Sequence, residues 1–427
     1  MLKQYSLRNL TAPEVAQLVA RNTDANHAIQ DAVLQIINDV RERGDESLRE
    51  LTAKFDKIAL DKLYLEKDDI EELAMTITRD QQRALEIAFQ NIHRFHSVQL
   101  RKERSVETMP GVKCWREARP IEKVGLYIPG GSAVLPSTLL MLGVPARIAG
   151  CKEIVVCSPP QKSGKINGFV AYCLQLLKIE RIYLTGGAQA IAAMAYGTDS
   201  IPKVDKIFGP GNQFVTKAKS LVQGMTNVSI DMPAGPSEVL VIADDTASPA
   251  FVAADLLAQA EHGPDSQAVL VATSQALIQQ VNSELAKQLE VLPRAEIARM
   301  AIDNSYAVAV DNLQEALSFS NTYAPEHLIL ETDEWESLIP RIVNAGSVFL
   351  GHLTPESAGD YASGTNHTLP TSGYARSYSG VSVDSFVKKI TFQHISSEGL
   401  NHIGSTVEIL AELEGLHAHK NAVSIRK

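Results

Sequence analysis

From residue 121 to residue 351 the chain alternates short apolar runs with helical stretches, and this rhythm limits the fold more than any other feature. KVGLYIP (123–129), EIVVCSP (153–159), RIYLTGG (181–187) and KVDKIFGPG (203–211) read as strands that stop at glycine or proline. Each precedes a helical stretch: STLLMLGVPARIAG, NGFVAYCLQLLKI, AQAIAAMAYG and NQFVTKAKSLVQG. The alternation continues with EVLVIAD (238–244), a helix over 249–262, QAVLVATS (267–274), a helix near 275–289, YAVAV (306–310), HLILET (327–332) and AGSVFLG (345–351). Apolar strands interleaved with helices imply parallel sheets covered on both faces. About nine strands exceed one comfortable doubly wound sheet. The expected fold is therefore α/β, with two doubly wound, incomplete Rossmann-like parallel-sheet lobes. The proline- and glycine-rich joints VGLYIPGG and DMPAGPSE mark the crossings, so one lobe is inserted in the other.

The ends differ in character. AIQDAVLQIINDVRERGDESLRELTAKFD (28–56) and RDQQRALEIAFQNIHRFHSVQL (79–100) read as long surface helices, giving a helical N-terminal segment. His93 and His96 stand there at i,i+3, a spacing compatible with metal but also common on solvated helix faces. After residue 380 the pattern becomes a polar helical tail, STVEILAELEGLHAHKNAVSIRK. The expected division is an N-terminal arm over 1–22, a discontinuous lobe over 23–125 plus 239–380, an inserted lobe over 126–238, and a tail over 381–427.

With 427 residues and 45% hydrophobic content the chain can bury a large core. A net charge of −10 argues against a nucleic-acid partner. Four cysteines, none in a C-x-x-C pair, fit neither a disulfide framework nor a thiolate zinc site. The start MLKQYSLRNL has no apolar export core, and no run approaches membrane-spanning length. A cytoplasmic protein with no membrane partner is expected.

The helix over 249–262 opens with Ser248-Pro249, stops at Gly263-Pro264, and carries Asp255, Gln259 and His262 on one stripe. Favourable contact of an imidazole with the C-terminal helix dipole is one account; a ligand site at the helix end is the other. Three glycine loops follow strands: Ile128-Pro129-Gly130-Gly131-Ser132, Gly186-Gly187-Ala188-Gln189 and Gly209-Pro210-Gly211-Asn212. Glycine lets backbone approach a phosphate, and the following helix start offers free N–H groups. None is a G-x-G-x-x-G fingerprint, although Asp231 falls where a ribose-binding acid would sit. Tight β–α turns use glycine for steric reasons alone, but the cluster favours a nucleotide site of unusual geometry. Other titratable groups stand among prolines and glycines: Glu326 and His327 after Pro325, Glu356, Asp360 and His367 in TPESAGDYASGTNHTLP, and Glu414, His417 and His419 in the tail. Gln259, His262, Asp360 and His419 could supply a nitrogen and oxygen donor set for zinc, but spacing alone does not bring them together.

Taken together, GLYIPGGSA, PARIAGC, GGAQAIAA, KIFGPGN, DMPAGPSEVLVIAD, QAEHGPDSQ, PEHL, AGSVFLG, ESAGDYASGTNH and AHKNAV resemble the histidinol dehydrogenase family, from about residue 30 to the C-terminus. The resemblance implies oxidation of L-histidinol through L-histidinal to L-histidine with two NAD, ending histidine biosynthesis. It implies one zinc per subunit and a homodimer whose sites are each completed by the other subunit's tail. Carried onto this sequence, zinc is held by Gln259, His262, Asp360 and His419, and Glu326 and His327 are the catalytic bases. Ser237 and Glu414 contact substrate beside His327 and the metal ligands. Tyr127, Gln189 and Asn212 meet the cofactor, which puts catalysis and metal in the discontinuous lobe and the cofactor in the inserted one.

The chemistry suits these side chains. A neutral imidazole at His327 can take the hydroxyl proton as hydride leaves, and Glu326 can activate water for the aldehyde step. Both serve one pocket only if PEHL bends, since adjacent strand residues face opposite ways. A cysteine nucleophile is the rival for the second oxidation, with Cys114, Cys151 and Cys157 as candidates. A zinc hydrolase using the same metal site, leaving the cofactor residues idle, and a two-lobed solute-binding protein are the competing functions.

Overall fold

The computed structural model describes residues 1–21, 27–130, 135–233 and 235–427. Two six-stranded sheets dominate it. In the first the strands lie in the order Lys3–Ser6, Tyr306–Ala309, Gln267–Ala272, Glu238–Ala243, His327–Glu331, Ser347–Leu350, and every neighbouring pair is parallel. In the second the order is Tyr64–Glu66, Arg181–Leu184, Glu153–Ser158, Lys123–Tyr127, Lys206–Phe208, Ser229–Ile230. All its pairs are parallel except the Tyr64–Glu66 edge, which runs antiparallel. Each apolar run read as a strand forms one, and helices fill the intervals. The central strand Glu238–Ala243 shows why: helices cover both faces, so every one of its residues is buried and an unbroken V-L-V-I run is required. The α/β, two-lobed expectation stands.

Several strands have no such apolar signature. Lys3–Ser6 joins the first sheet at its edge through Tyr306–Ala309. A third, antiparallel sheet joins Val106–Met109, Val112–Pro120 and Val387–Ile395, so the tail contributes a long strand before the helices Ser397–Leu413 and His417–Ser424.

The N-terminal helices pack differently from the expected grouping of 23–125 with 239–380. Val33, Ile37, Val40 and Leu48, from the helices His27–Arg43 and Asp45–Phe55, share a core with Ile191, Met194 and Val222. Ile70, Ala88 and Ile92 share another with Leu139 and Leu142. The helices over 27–97 thus lie on the second sheet. An amphipathic helix shows which of its faces is buried, but not which sheet buries it. His93 and His96 do not form a pair: His96 is buried with its Nδ1 on the Ile92 carbonyl at 2.9 Å, while His93 is exposed. Among the described residues no helix is long and apolar enough to cross a membrane.

Candidate active site

The polar end of the helix Pro249–Ala260 meets a second short helix, Glu356–Tyr361, that follows the strand Ser347–Leu350. Gln259 is 0% exposed, yet neither its Oε1 nor its Nε2 has a hydrogen-bond partner. An orphaned buried polar group costs about 1–3 kcal/mol, a cost that a ligand bonded to this carboxamide would remove. His262, just beyond the helix, donates its backbone N–H to the Gln259 carbonyl at 3.3 Å. Donor atoms of His262, Glu356 and Asp360 lie within 4.8 Å of one another. Glu356 and Asp360 meet because the loop after residue 354 begins as a helix, placing them one turn apart on a buried face. Burial pushes the Asp360 carboxyl up to about 7 and holds Glu356 well above the usual range, Asp360 and Glu326 adding repulsion. Crowded buried carboxylates of this kind are relieved by a bound cation.

His327 opens the strand His327–Glu331 beside this group. Its Nδ1 faces the Glu238 carbonyl at 3.3 Å, and its unpartnered Nε2 lies 3.7 Å from Asp360 Oδ1. Burial lowers its pKa to about 3, the nearby His262 and His367 acting in the same direction, so the ring is neutral. Glu326 Oε2 accepts the Glu238 N–H at 2.9 Å and lies 3.7 Å from His327 Nδ1. Burial holds that carboxyl well above its ordinary range. The two side chains therefore meet on the same side of the chain. The chain turns at Ala324, in the left-handed region at φ 56°, and straightens through Pro325 only at His327.

Gly346 locks this bend. Its N–H donates to the Pro325 carbonyl at 2.9 Å, and a Cβ there would stand 2.6 Å from the Glu326 carbonyl oxygen. Backbone cannot yield as a flexible side chain can. Gly346→Ala is expected to cost about 1–3 kcal/mol of stability and to lower kcat more than KM, read by thermal unfolding and steady-state kinetics. Unchanged kcat would show that the Glu326 backbone has room to move.

Ser237 is half-buried next to Glu238, its carbonyl accepting the Gln267 N–H at 3.1 Å. His367 ties the acidic loop to the other lobe: Nδ1 meets the Asp360 carbonyl at 3.0 Å and Nε2 meets Thr138 Oγ1 at 3.2 Å. Within one chain Glu414 and His419 do not reach this group; both are exposed on the tail. In the sequence Glu356 stands only as an acid in a loop and Glu238 only as the start of a strand. Both are part of the site, Glu238 through its backbone.

The glycine loops lie at the C-terminal ends of the second sheet's strands, with Gly131 and Ser132 outside the described residues. Tyr127 ends its strand buried, its hydroxyl accepting the Gly187 N–H at 3.1 Å, and burial raises its pKa to about 12. Gln189 is buried in the first turn of the helix Gly187–Tyr196. Asn212 is exposed and caps the helix Gln213–Met225 through Oδ1, accepting the Phe214 and Val215 N–H groups at 3.0 and 3.2 Å. Asp231 is no ribose acid: it pairs with the buried Lys219 and accepts the Gly209 N–H at 2.9 Å, bracing the loop from below. Cys151 and Cys157 are buried, with burial raising both thiols, Cys151 to about 11. Cys114 lies in the third sheet opposite Gln393. None of the three belongs to the cluster.

A buried imidazole among metal-capable donors at the ends of parallel strands defines an α/β protein with a polar, metal-capable site. Comparison with known proteins gives the family. Residues 19–427 match the histidinol dehydrogenase family. The chain is 55% identical over 411 residues to histidinol dehydrogenase of Bacteroides thetaiotaomicron, covering 96% of each. It is 52% identical to the chloroplastic histidinol dehydrogenase of Arabidopsis thaliana, covering 100% of this chain and 91% of that protein. The crystal structure of histidinol dehydrogenase from Elizabethkingia anophelis superposes with a TM-score of 0.96 at 50% identity, covering 100% of this chain and 98% of that one. The chain belongs to the histidinol dehydrogenase family and is an oxidoreductase of histidine biosynthesis.

Proposed function

We propose that the enzyme oxidises L-histidinol through L-histidinal to L-histidine, the last step of histidine biosynthesis, using two NAD per turnover and one zinc per subunit. The observation that carries this reading is the neutral His327, its Nε2 unpartnered and 3.7 Å from Asp360. Zinc takes nitrogen and oxygen donors and, in catalytic sites, keeps a position for substrate. The orphaned Gln259 amide with His262 and Asp360 fits that requirement, and Glu356 adds charge beside them. His419 from a second copy of the chain would complete the set. Zinc bound there would anchor the imidazole and amino nitrogens of the substrate, and the nicotinamide would accept hydride.

The chain's own groups then manage protons. With Nδ1–H donated to the Glu238 carbonyl, the His327 lone pair sits on Nε2, where it can receive the hydroxyl proton. Glu326 draws a proton from the water that hydrates the aldehyde once its own carboxyl is ionised, and burial strengthens its hold on that proton. Ser237 and Glu414 contact substrate, while Tyr127, Gln189 and Asn212 receive the cofactor in the lobe over 126–238. A homodimer supplies the tail: Leu413 and Ile425 are 78% and 70% exposed in the single chain, an apolar surface that a second copy would cover. Free thiols fit the reducing cytoplasm.

The test is stoichiometry. Purified enzyme is expected to carry one zinc per chain and to form two NADH per histidinol consumed. Zinc without NADH would favour a hydrolase. Asp360→Ala removes a charged ligand and is expected to weaken zinc by more than the roughly 10–100-fold that outer partners cost. Full zinc occupancy in that variant would place the metal elsewhere.

A further inference from the structure

Glu326 and His327 share one anchor. The Glu238 N–H donates to Glu326 Oε2 at 2.9 Å, and the Glu238 carbonyl faces His327 Nδ1 at 3.3 Å. The sheet ladder holds that segment along the strand, and the Glu238 side chain adds a second hold at the strand's first residue. Its Oε2 accepts from Arg21 Nε at 2.8 Å and lies 3.5 Å from the Tyr323 hydroxyl, which itself donates to Gln267 Oε1 at 2.7 Å. The Arg21 guanidinium is stacked 3.3 Å from the centre of the Tyr323 ring. It also donates through Nη2 to the Tyr323 carbonyl at 3.2 Å, and through Nη1 to the Val19 carbonyl. Side-chain exposure is 11% for Arg21 and 4% for Glu238, so the pair is out of water.

Stability alone does not account for this arrangement. Removing two opposite charges from water consumes most of what their attraction returns, and apolar residues of equal volume serve a core as well. A buried ion pair does fix geometry, because a guanidinium stacked on a ring and donating along a planar fork tolerates little displacement. Arg21 comes from the N-terminal arm, for which the sequence offered no role, and it reaches the central strand exactly where that strand's backbone meets the two bases. We propose that Arg21, Glu238 and Tyr323 are positioning residues: they touch neither substrate nor cofactor, and they hold the Glu238 peptide so that Glu326 and His327 keep their mutual placement. The proposal rests on the reading of Glu326 and His327 as the catalytic bases.

A displacement on the order of 1 Å can cost about 100-fold in rate. Arg21→Ala is therefore expected to lower kcat by about 30- to 100-fold, with KM for histidinol and zinc content changed less than about twofold. Guanidinium ion added at millimolar concentration is expected to restore part of the lost kcat by refilling the slot over Tyr323, whereas sodium ion at equal ionic strength is not. Glu238→Gln keeps the shape and removes the charge, and is expected to show the same split between kcat and KM. Should Arg21→Ala fail to fold, Glu238→Gln carries the test alone. Unchanged kcat in the folded variants overturns the proposal, as does a loss that appears in KM or zinc content instead. His327→Asn and Glu326→Gln are measured alongside. If those two retain activity, the reading of the bases falls; if they lose it while Arg21→Ala and Glu238→Gln do not, only the positioning role falls.

Discussion

His327→Asn is expected to lower kcat by roughly 10²–10⁴-fold, the usual worth of a positioned general base, while KM and zinc content stay near wild type. Asparagine is the informative replacement because its Nδ2 can stand where His327 Nδ1 stands and still donate to the Glu238 carbonyl, 3.3 Å away. What disappears is Nε2, the atom left without a partner beside Asp360. Stopped-flow NADH formation separates the two oxidations. Loss of the first hydride transfer is the expected outcome; a variant that forms the first NADH at the wild-type rate would remove His327 from the alcohol step.

The second large effect is restoration of activity rather than loss. His419→Ala and His327→Asn chains are each expected to be inactive as homodimers. In a mixed dimer, one site combines the intact His327 of one chain with the intact tail of the other. Random pairing of equal amounts should return about one quarter of wild-type activity, since half the dimers are mixed and each has one good site of two. Own-chain sites would return nothing, because every site would then carry one of the two substitutions. The exposed position of His419 in the single chain is what makes this outcome expected.

The strands legible in the sequence are those whose physics is local: runs such as EVLVIAD and HLILE are apolar on both faces because both faces are covered. Val387–Ile395 has no such pattern, for most of its residues stay exposed while its backbone pairs with Val112–Pro120. Gln259 and His262 could be singled out because, with Asp255, they put an acid, an amide and an imidazole on one stripe at the end of a helix rich in alanine and leucine. The convergence of Glu326 with His327 could be stated only as a condition, and it depends on the left-handed turn at Ala324. Glu238 left no trace because it meets the two bases through its peptide, which every residue has, and nothing in the sequence pairs its carboxylate with the distant Arg21. Asp231 shows the opposite case: its spacing from the GPGN loop matched a ribose acid, yet the buried Lys219 had already claimed it.

Among the described residues the edge strand Lys3–Ser6 pairs with Tyr306–Ala309 alone. During synthesis at about 5–20 residues per second, this segment therefore waits roughly 15–60 seconds for the one it must pair with, some three hundred residues further along. Through that interval its unpaired N–H and C=O groups are open to other chains. A slower ribosome lengthens this exposure, and a chaperone that shields the first twenty or so residues would shorten its effect.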